Sequence, residues 1–204
     1  MAFNIQTFAD NIATYGNLQT NKFEIRLPLP AVFPSGGALD LPSTELLTFR
    51  ADRVDLPGVL FDTTETRRYG VGPIIKTPVN KSKFNEFTVS FIETQRGEIY
   101  NLFNYWLQRI IDFSGTESRS PTFLTEYKNR YSVGMQIRVF NNLGTNRNEP
   151  ATDPQPVIEL NFVDAFPLSL SDTNLAWSNN NELFKTNVTF SYAYHQLATG
   201  TRVI

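Results

Sequence analysis

Hydrophobic and polar positions alternate most regularly near the end of the chain. Phe184, Val188, Phe190, Tyr192 and Tyr194 share one parity, and Lys185, Asn187, Thr189, Ser191 and Ala193 share the other. Side chains of a strand alternate faces, so this pattern predicts one long strand with an apolar face and a polar face. Shorter runs repeat it. Phe23, Ile25 and Leu27 define a strand over 22–27, and Phe87, Val89 and Phe91 define one over 84–92. Val133, Met135, Ile137 and Val139 define a strand over 131–140, and Ile158, Leu160 and Phe162 define one over 157–163 that ends at Phe166-Pro167. A further strand is expected over 45–54, closed by the turn Asp55-Leu-Pro-Gly58. Residues 59–69 and 73–79 read as the two arms of a hairpin around Gly70-Val-Gly72, polar enough to project from the body.

One segment follows a different period. Ile99, Leu102, Phe103, Trp106, Leu107, Ile110 and Ile111 make a single stripe at helical spacing, which predicts an amphipathic helix. Thr94 is its expected N-cap and Ser114-Gly115 its stop. A sheet with one such helix must bury its apolar face against the helix or a second sheet. The expected fold is therefore mainly β: a β-sandwich or partly open barrel of seven to nine strands, with one flanking amphipathic helix and a protruding hairpin. Segments 28–44 and 141–156 are rich in Pro, Gly and Asn and read as loop-rich insertions within a single domain spanning 1–204.

Composition narrows the function classes. Aromatic residues make up 13% of the 204, which favours strands. A formal net charge of −2 gives no bulk reason to bind nucleic acid. The absence of cysteine removes disulfides, thiolate zinc sites and thiol nucleophiles. No signal peptide and no membrane-spanning apolar run is read, and no cofactor or metal is expected.

Candidate chemistry is sparse. His195 is the lone histidine and has no second histidine to support an acid–base unit. Asp52, Asp55, Asp62, Glu65, Asp112, Glu159 and Asp164 could serve a two-carboxylate hydrolase only if a cleft held two of them at a fixed separation. Gly70-Val-Gly72 lacks the helix and Lys-Ser/Thr of a phosphate loop. Trp106 belongs to the helix stripe, whereas Trp177 sits before a turn and packs at a strand end or forms a sugar platform. Arg67, Arg68, Lys76, Lys81 and Lys83 cluster in the hairpin, either as a contact for an acidic surface or as a solvated hairpin. The residues alone leave a structural subunit, a carbohydrate-binding β-sandwich and a hydrolase in contention.

Four stretches in this order resemble the tail tube proteins of contractile-tailed (myovirus-type) bacteriophages and, more distantly, tubes of related contractile injection machines. They are Phe49-Arg-Ala-Asp-Arg-Val-Asp-Leu-Pro-Gly58, the hairpin and following strand over 61–93, the helix over 96–111, and the closing module from Phe166-Pro167 to Tyr194. The resemblance covers about two-thirds of the chain; segments 28–44 and 141–156 and the end after His195 depart from it. It implies a non-enzymatic virion protein assembled in the host cytoplasm. Its hexameric rings stack into a tube whose lumen passes DNA without sequence-specific binding during tail contraction. The implied partners are the tail sheath, baseplate and tail terminator proteins, and a specialised tube-like initiator or terminator is an alternative role. By resemblance, Arg67, Arg68, Lys76, Lys81 and Lys83 become candidates for inter-ring contacts. Phe3, Phe8 and Ile12 would form an arm on a neighbouring subunit, and the polar face of the last strand would meet either the lumen or a sheet partner.

Overall fold

A computed structural model describes residues 18, 20–33, 44–59, 61–67, 70, 72, 74–81, 86–111, 125–140, 156–173, 175–176 and 182–198. Among these residues nine strands and three helices follow one another. They are β1 (Phe23–Arg26), α1 (Thr44–Arg50), β2 (Ala51–Val54), β3 (Phe61–Arg67), β4 (Ile74–Lys81) and β5 (Glu86–Ile92), then α2 (Glu98–Ile110), α3 (Lys128–Tyr131), β6 (Val133–Phe140), β7 (Pro156–Leu170), β8 (Lys185–Ser191) and β9 (Tyr194–Leu197). All pairings of these strands are antiparallel. The main sheet runs β1-β6-β7-β8-β5-β2, with β9 on β7, while β3 and β4 pair only with each other. The fold is mainly β and does not close into a barrel.

The long strand β7 belongs to both halves of the sheet. Its first part pairs with β6 and β9, and its second part, from Phe166, pairs with β8. Between them Asp164 has φ 56°, a left-handed backbone that bends the strand. Its carboxylate is held by Lys128 Nζ at 2.9 Å. Pro167 therefore does not end the strand as expected; β7 runs on to Leu170 with a register shift between Pro167 and Ser169. Proline is tolerated at such an irregular edge position because its missing N–H breaks no regular ladder.

The bend turns both apolar faces towards one core. Ile25, Met135, Ile137 and Phe162 from one half are buried with Phe87, Val89, Phe91, Val188 and Phe190 from the other. The rings of Phe87 and Phe162 meet across the halves with centroids 4.7 Å apart. Helix α2 covers this core with Ile99, Leu102, Phe103 and Trp106 buried, while Leu107, Ile110 and Ile111 are half-buried.

Three further local expectations are corrected. The segment over 45–54 is not one strand: it is helical to Arg50 and extended only from Ala51. Glu45 in the first turn and Arg50 in the last favour the helix, as do the strong helix formers Leu46 and Leu47. Leu47 is buried, and Thr48 Oγ1 donates to Ile25 O at 2.7 Å, which ties α1 to β1. The terminal strand also divides. Pairing with β5 ends at Ser191, Ala193 N–H donates to Val163 O, and β9 then pairs with the other half of the sheet. The bend of β7 imposes this break, because its two flanks need partners in different planes.

The third correction concerns the start of α2. Gly97 occupies the N-cap position at φ 69°, while Thr94 Oγ1 accepts from Glu98 N–H at 3.3 Å. A Cβ at Gly97 would meet only Asn101 Nδ2, at 3.7 Å, so the backbone alone favours glycine here. Gly97→Ala is expected to cost about 1 kcal/mol, the penalty for a side chain in the left-handed region. A urea titration with an unchanged midpoint contradicts it.

Candidate assembly surfaces

The hairpin β3–β4 is exposed throughout its described side chains. Its register separates two faces. Glu65 pairs with Lys76 and Arg67 with Ile74 on one, while Thr64 pairs with Thr77 and Thr66 with Ile75 on the other. Glu65 and Lys76 form an ion pair at 3.4 Å, both more than half exposed, so it contributes little to stability. The expectation of a polar hairpin needs correction. Phe61, Ile74, Ile75 and Val79 stand 56%, 48%, 48% and 68% exposed. Helical and strand periodicity could not reveal this, because these residues follow neither period; Val79 occupies the register shift between Asp62 and Thr63. Arg68, Lys83 and the side chain of Lys81 lie outside the described residues, as do Phe3, Phe8 and Ile12 of the expected arm.

A second surface is the side of β5, β7 and β8 opposite the core. Cross-strand pairs place Thr88 against Thr189, Ser90 against Asn187 and Ser169 against Thr189. The Thr88 and Thr189 hydroxyls lie 3.2 Å apart. At the margin of this hydroxyl and amide face, Lys185 Nζ donates to Asp52 at 2.6 Å, which cancels both charges locally. Glu86 opposite Ser191 and Arg53 opposite Ser90 add charge on the same side, with Arg53 paired to Asp55 at 3.0 Å. Ser90 itself is buried, so the face is mainly hydroxyl and amide with its charges along the β2 side and the strand ends.

Among the described residues the candidate carboxylates are not brought together in one cleft. Asp52 meets Lys185, Asp55 meets Arg53, Glu65 meets Lys76, Glu159 meets Arg138 and Asp164 meets Lys128, each an ion pair with its own base. Asp112 lies outside the described residues, as does Trp177. His195 is half-buried, its ring 5.7 Å from both Phe162 and Tyr192. Burial pushes the Tyr192 phenol up, as expected of a core tyrosine. Among the described residues no cluster of His, Asp and Glu could hold a metal ion, and no helix is long and apolar enough to cross a membrane. An open cleft on the outer side of β6 and β7, lined by Arg26, Gly134, Gln136 and Asn161, has no charged side chain buried in it.

Sequence reasoning missed one key side chain. Glu93 Oε1 accepts from Thr94 N–H at 3.0 Å and Ile99 N–H at 2.9 Å. Its Oε2 accepts from Tyr100 N–H and Thr186 Oγ1, each at 2.9 Å. One carboxylate thus joins the end of β5, the first turn of α2 and β8. The available signal was an acidic residue directly after an apolar strand and just before a helical stripe, where N–H groups lack partners.

The described residues thus form a two-part β framework with an exposed hairpin and a sheet face rich in hydroxyls and amides. Residues 18–198 match the family described as phage tail tube protein, and the chain belongs to that family, which is structural and not enzymatic. No curated protein matches it in sequence. Among solved structures it is similar to a chain of an extracellular contractile injection system, the PVC sheath–tube complex in its extended state. The TM-score is 0.54 and the identity 17%, covering 93% of this chain and 96% of that one. It is similar to a chain of the anti-feeding prophage cap, described as a tube-terminating cap, with TM-score 0.54, 17% identity and 90% and 92% coverage. A chain of the anti-feeding prophage baseplate gives a TM-score of 0.52 at 12% identity, with 92% and 98% coverage. At these identities the likeness concerns the fold.

Proposed function

We propose that the whole chain acts as one tail-tube unit that closes into hexameric rings, stacked head to tail into a hollow tube within a contractile sheath. The observation that carries this reading is the exposed hairpin on a chain of the tail tube family. A two-stranded ribbon is marginal alone in water, and exposed Phe61, Ile74, Ile75 and Val79 gain by burial against a neighbour. Closure with neighbours also covers the free edges of β2 and β9.

The hydroxyl and amide face of β5, β7 and β8 is assigned to the lumen. DNA moves past such a wall without the counterion release that retains it on a basic surface. Passage is then independent of DNA sequence, and the tube delivers the genome to the host during contraction. Sheath, baseplate and terminator proteins are the heteromeric partners, in keeping with the sheath–tube complex, cap and baseplate assemblies whose chains share this fold. The subunits assemble in the host cytoplasm and remain in the virion tail. Equal TM-scores of 0.54 to chains of the sheath–tube complex and of the cap support a second role within the same class, a terminator or baseplate initiator.

Arg67→Glu with Arg68→Glu tests the hairpin's part. The double variant is expected to keep its fold and lose stacking, read as tube yield by electron microscopy beside an unchanged circular dichroism spectrum. Unaltered tube yield removes the hairpin from the contact.

A further inference from the structure

The hairpin leaves and re-enters the sheet at one end of β2 and β5. Val54 lies opposite Val89, and Asp55 N–H donates to Thr88 O, so the chain departs for β3 near the Glu86 end of β5. The opposite end is built from other segments. There Ile92 faces Lys185, Glu93 N–H donates to Phe184 O at 2.9 Å, and Ser171 N–H donates to Asn187 O at 2.9 Å. These contacts set the start of α2 beside the segment that joins β7 to β8. The two ends are separated by the length of β5, about 20 Å at the usual rise of a strand.

The two ends have complementary chemistry. By sequence, 61–83 carries five Lys or Arg against two Asp or Glu. At the far end Asp172 and Glu182 are exposed and Glu98 is half-buried, while Lys185 is held by Asp52 and Arg96 Nη1 lies 3.8 Å from Glu98. That end is also apolar. Leu183, next to Phe184, is 66% exposed, and Tyr100 stands edge-on to Phe184 with centroids 6.4 Å apart. The hairpin supplies Phe61, Ile74, Ile75 and Val79 in return.

Resting on the reading of the chain as a stacking subunit, we infer that the hairpin's receptor is the acidic, apolar end of a second copy, around Asp172, Glu182, Leu183 and Tyr100. Neither end is complementary to itself. Like charges oppose hairpin-to-hairpin contact, so stacking takes a single polarity and continues without closing. Apolar burial holds the contact, and the surrounding charges set its register and its sensitivity to salt.

A charge exchange on the purified full chain tests the assignment. Asp172→Lys with Glu182→Lys is expected to lower the stacked fraction at least about tenfold, with rings and melting temperature retained, because both side chains are exposed. Arg67→Glu with Arg68→Glu is expected to do the same. A chain carrying all four substitutions restores opposite charges at the contact, and stacking recovers to within about threefold of the parent. Sedimentation velocity and negative-stain microscopy read both quantities. If the parent stacks and the Asp172→Lys, Glu182→Lys chain stacks equally, or if the fourfold chain does not recover, the receptor assignment is overturned and the tube reading stands. A parent that forms neither rings nor stacks overturns both.

Discussion

Trp106→Ala is expected to lower the unfolding free energy by about 3–5 kcal/mol, the range for truncating a large buried aromatic residue. Trp106 is fully buried, stacked on Phe103 at 6.2 Å and edge-on to Phe33 at 5.9 Å. Its indole N–H donates to Tyr131 O at 3.0 Å. Alanine therefore opens a cavity beneath α2 and leaves a carbonyl of α3 without its donor. Trp106→Phe separates the two effects: it keeps most of the ring contact and loses the hydrogen bond, at about 1–3 kcal/mol from the polar group alone. Urea unfolding is best followed with Arg67→Glu and Arg68→Glu as the common background, because stacking otherwise adds to apparent stability. A midpoint for Trp106→Ala equal to the background's contradicts the placement of α2 on the core.

Glu93→Ala is expected to cost about 2–4 kcal/mol. Hydrogen bonds to a charged acceptor contribute more than neutral ones, and a donor left buried without a partner carries its desolvation cost. Here the affected donors include the N–H of buried Ile99 and the hydroxyl of Thr186, which is 1% exposed. The carboxylate also faces the positive end of the α2 dipole. Glu93→Gln preserves size and one acceptor but turns an NH2 towards existing donors, so it is expected to recover no more than about half of the loss. Hydrogen exchange supplies the local check: the first-turn amides of α2 should lose protection in Glu93→Ala well before those near Trp106. Equal protection along the helix in variant and parent contradicts the role given to Glu93.

Strict periodicity made much of this fold legible. Alternation in β5, β6 and β8 and the stripe of α2 follow from single faces packed on one core, so each residue reports its own environment. Legibility failed where tertiary context decided the backbone. The helix α1 is only seven residues long and buries Leu47 alone, too little to set a period. The bend at Asp164 and the break between Ser191 and Tyr194 arise together from β7 serving two halves of the sheet, a relation between distant segments. The hairpin's apolar residues escaped because they stand exposed among the described residues and pack on no core face that would set a period. For the same reason the receptor end, built from the segments around Tyr100 and Leu183, was invisible until the strand register placed them together.

The hairpin also revises how its charges are read. Lys76 already has Glu65 as a partner at 3.4 Å, whereas Ile74, Ile75 and Val79 have open surroundings. The energy of the proposed contact then resides mainly in apolar burial, with the basic residues steering approach and fixing polarity.

Negative-stain electron microscopy of the concentrated, purified protein tests assembly most directly. Six-fold rings or hollow tubes are the predicted result, and a uniform field of monomers at every concentration contradicts it.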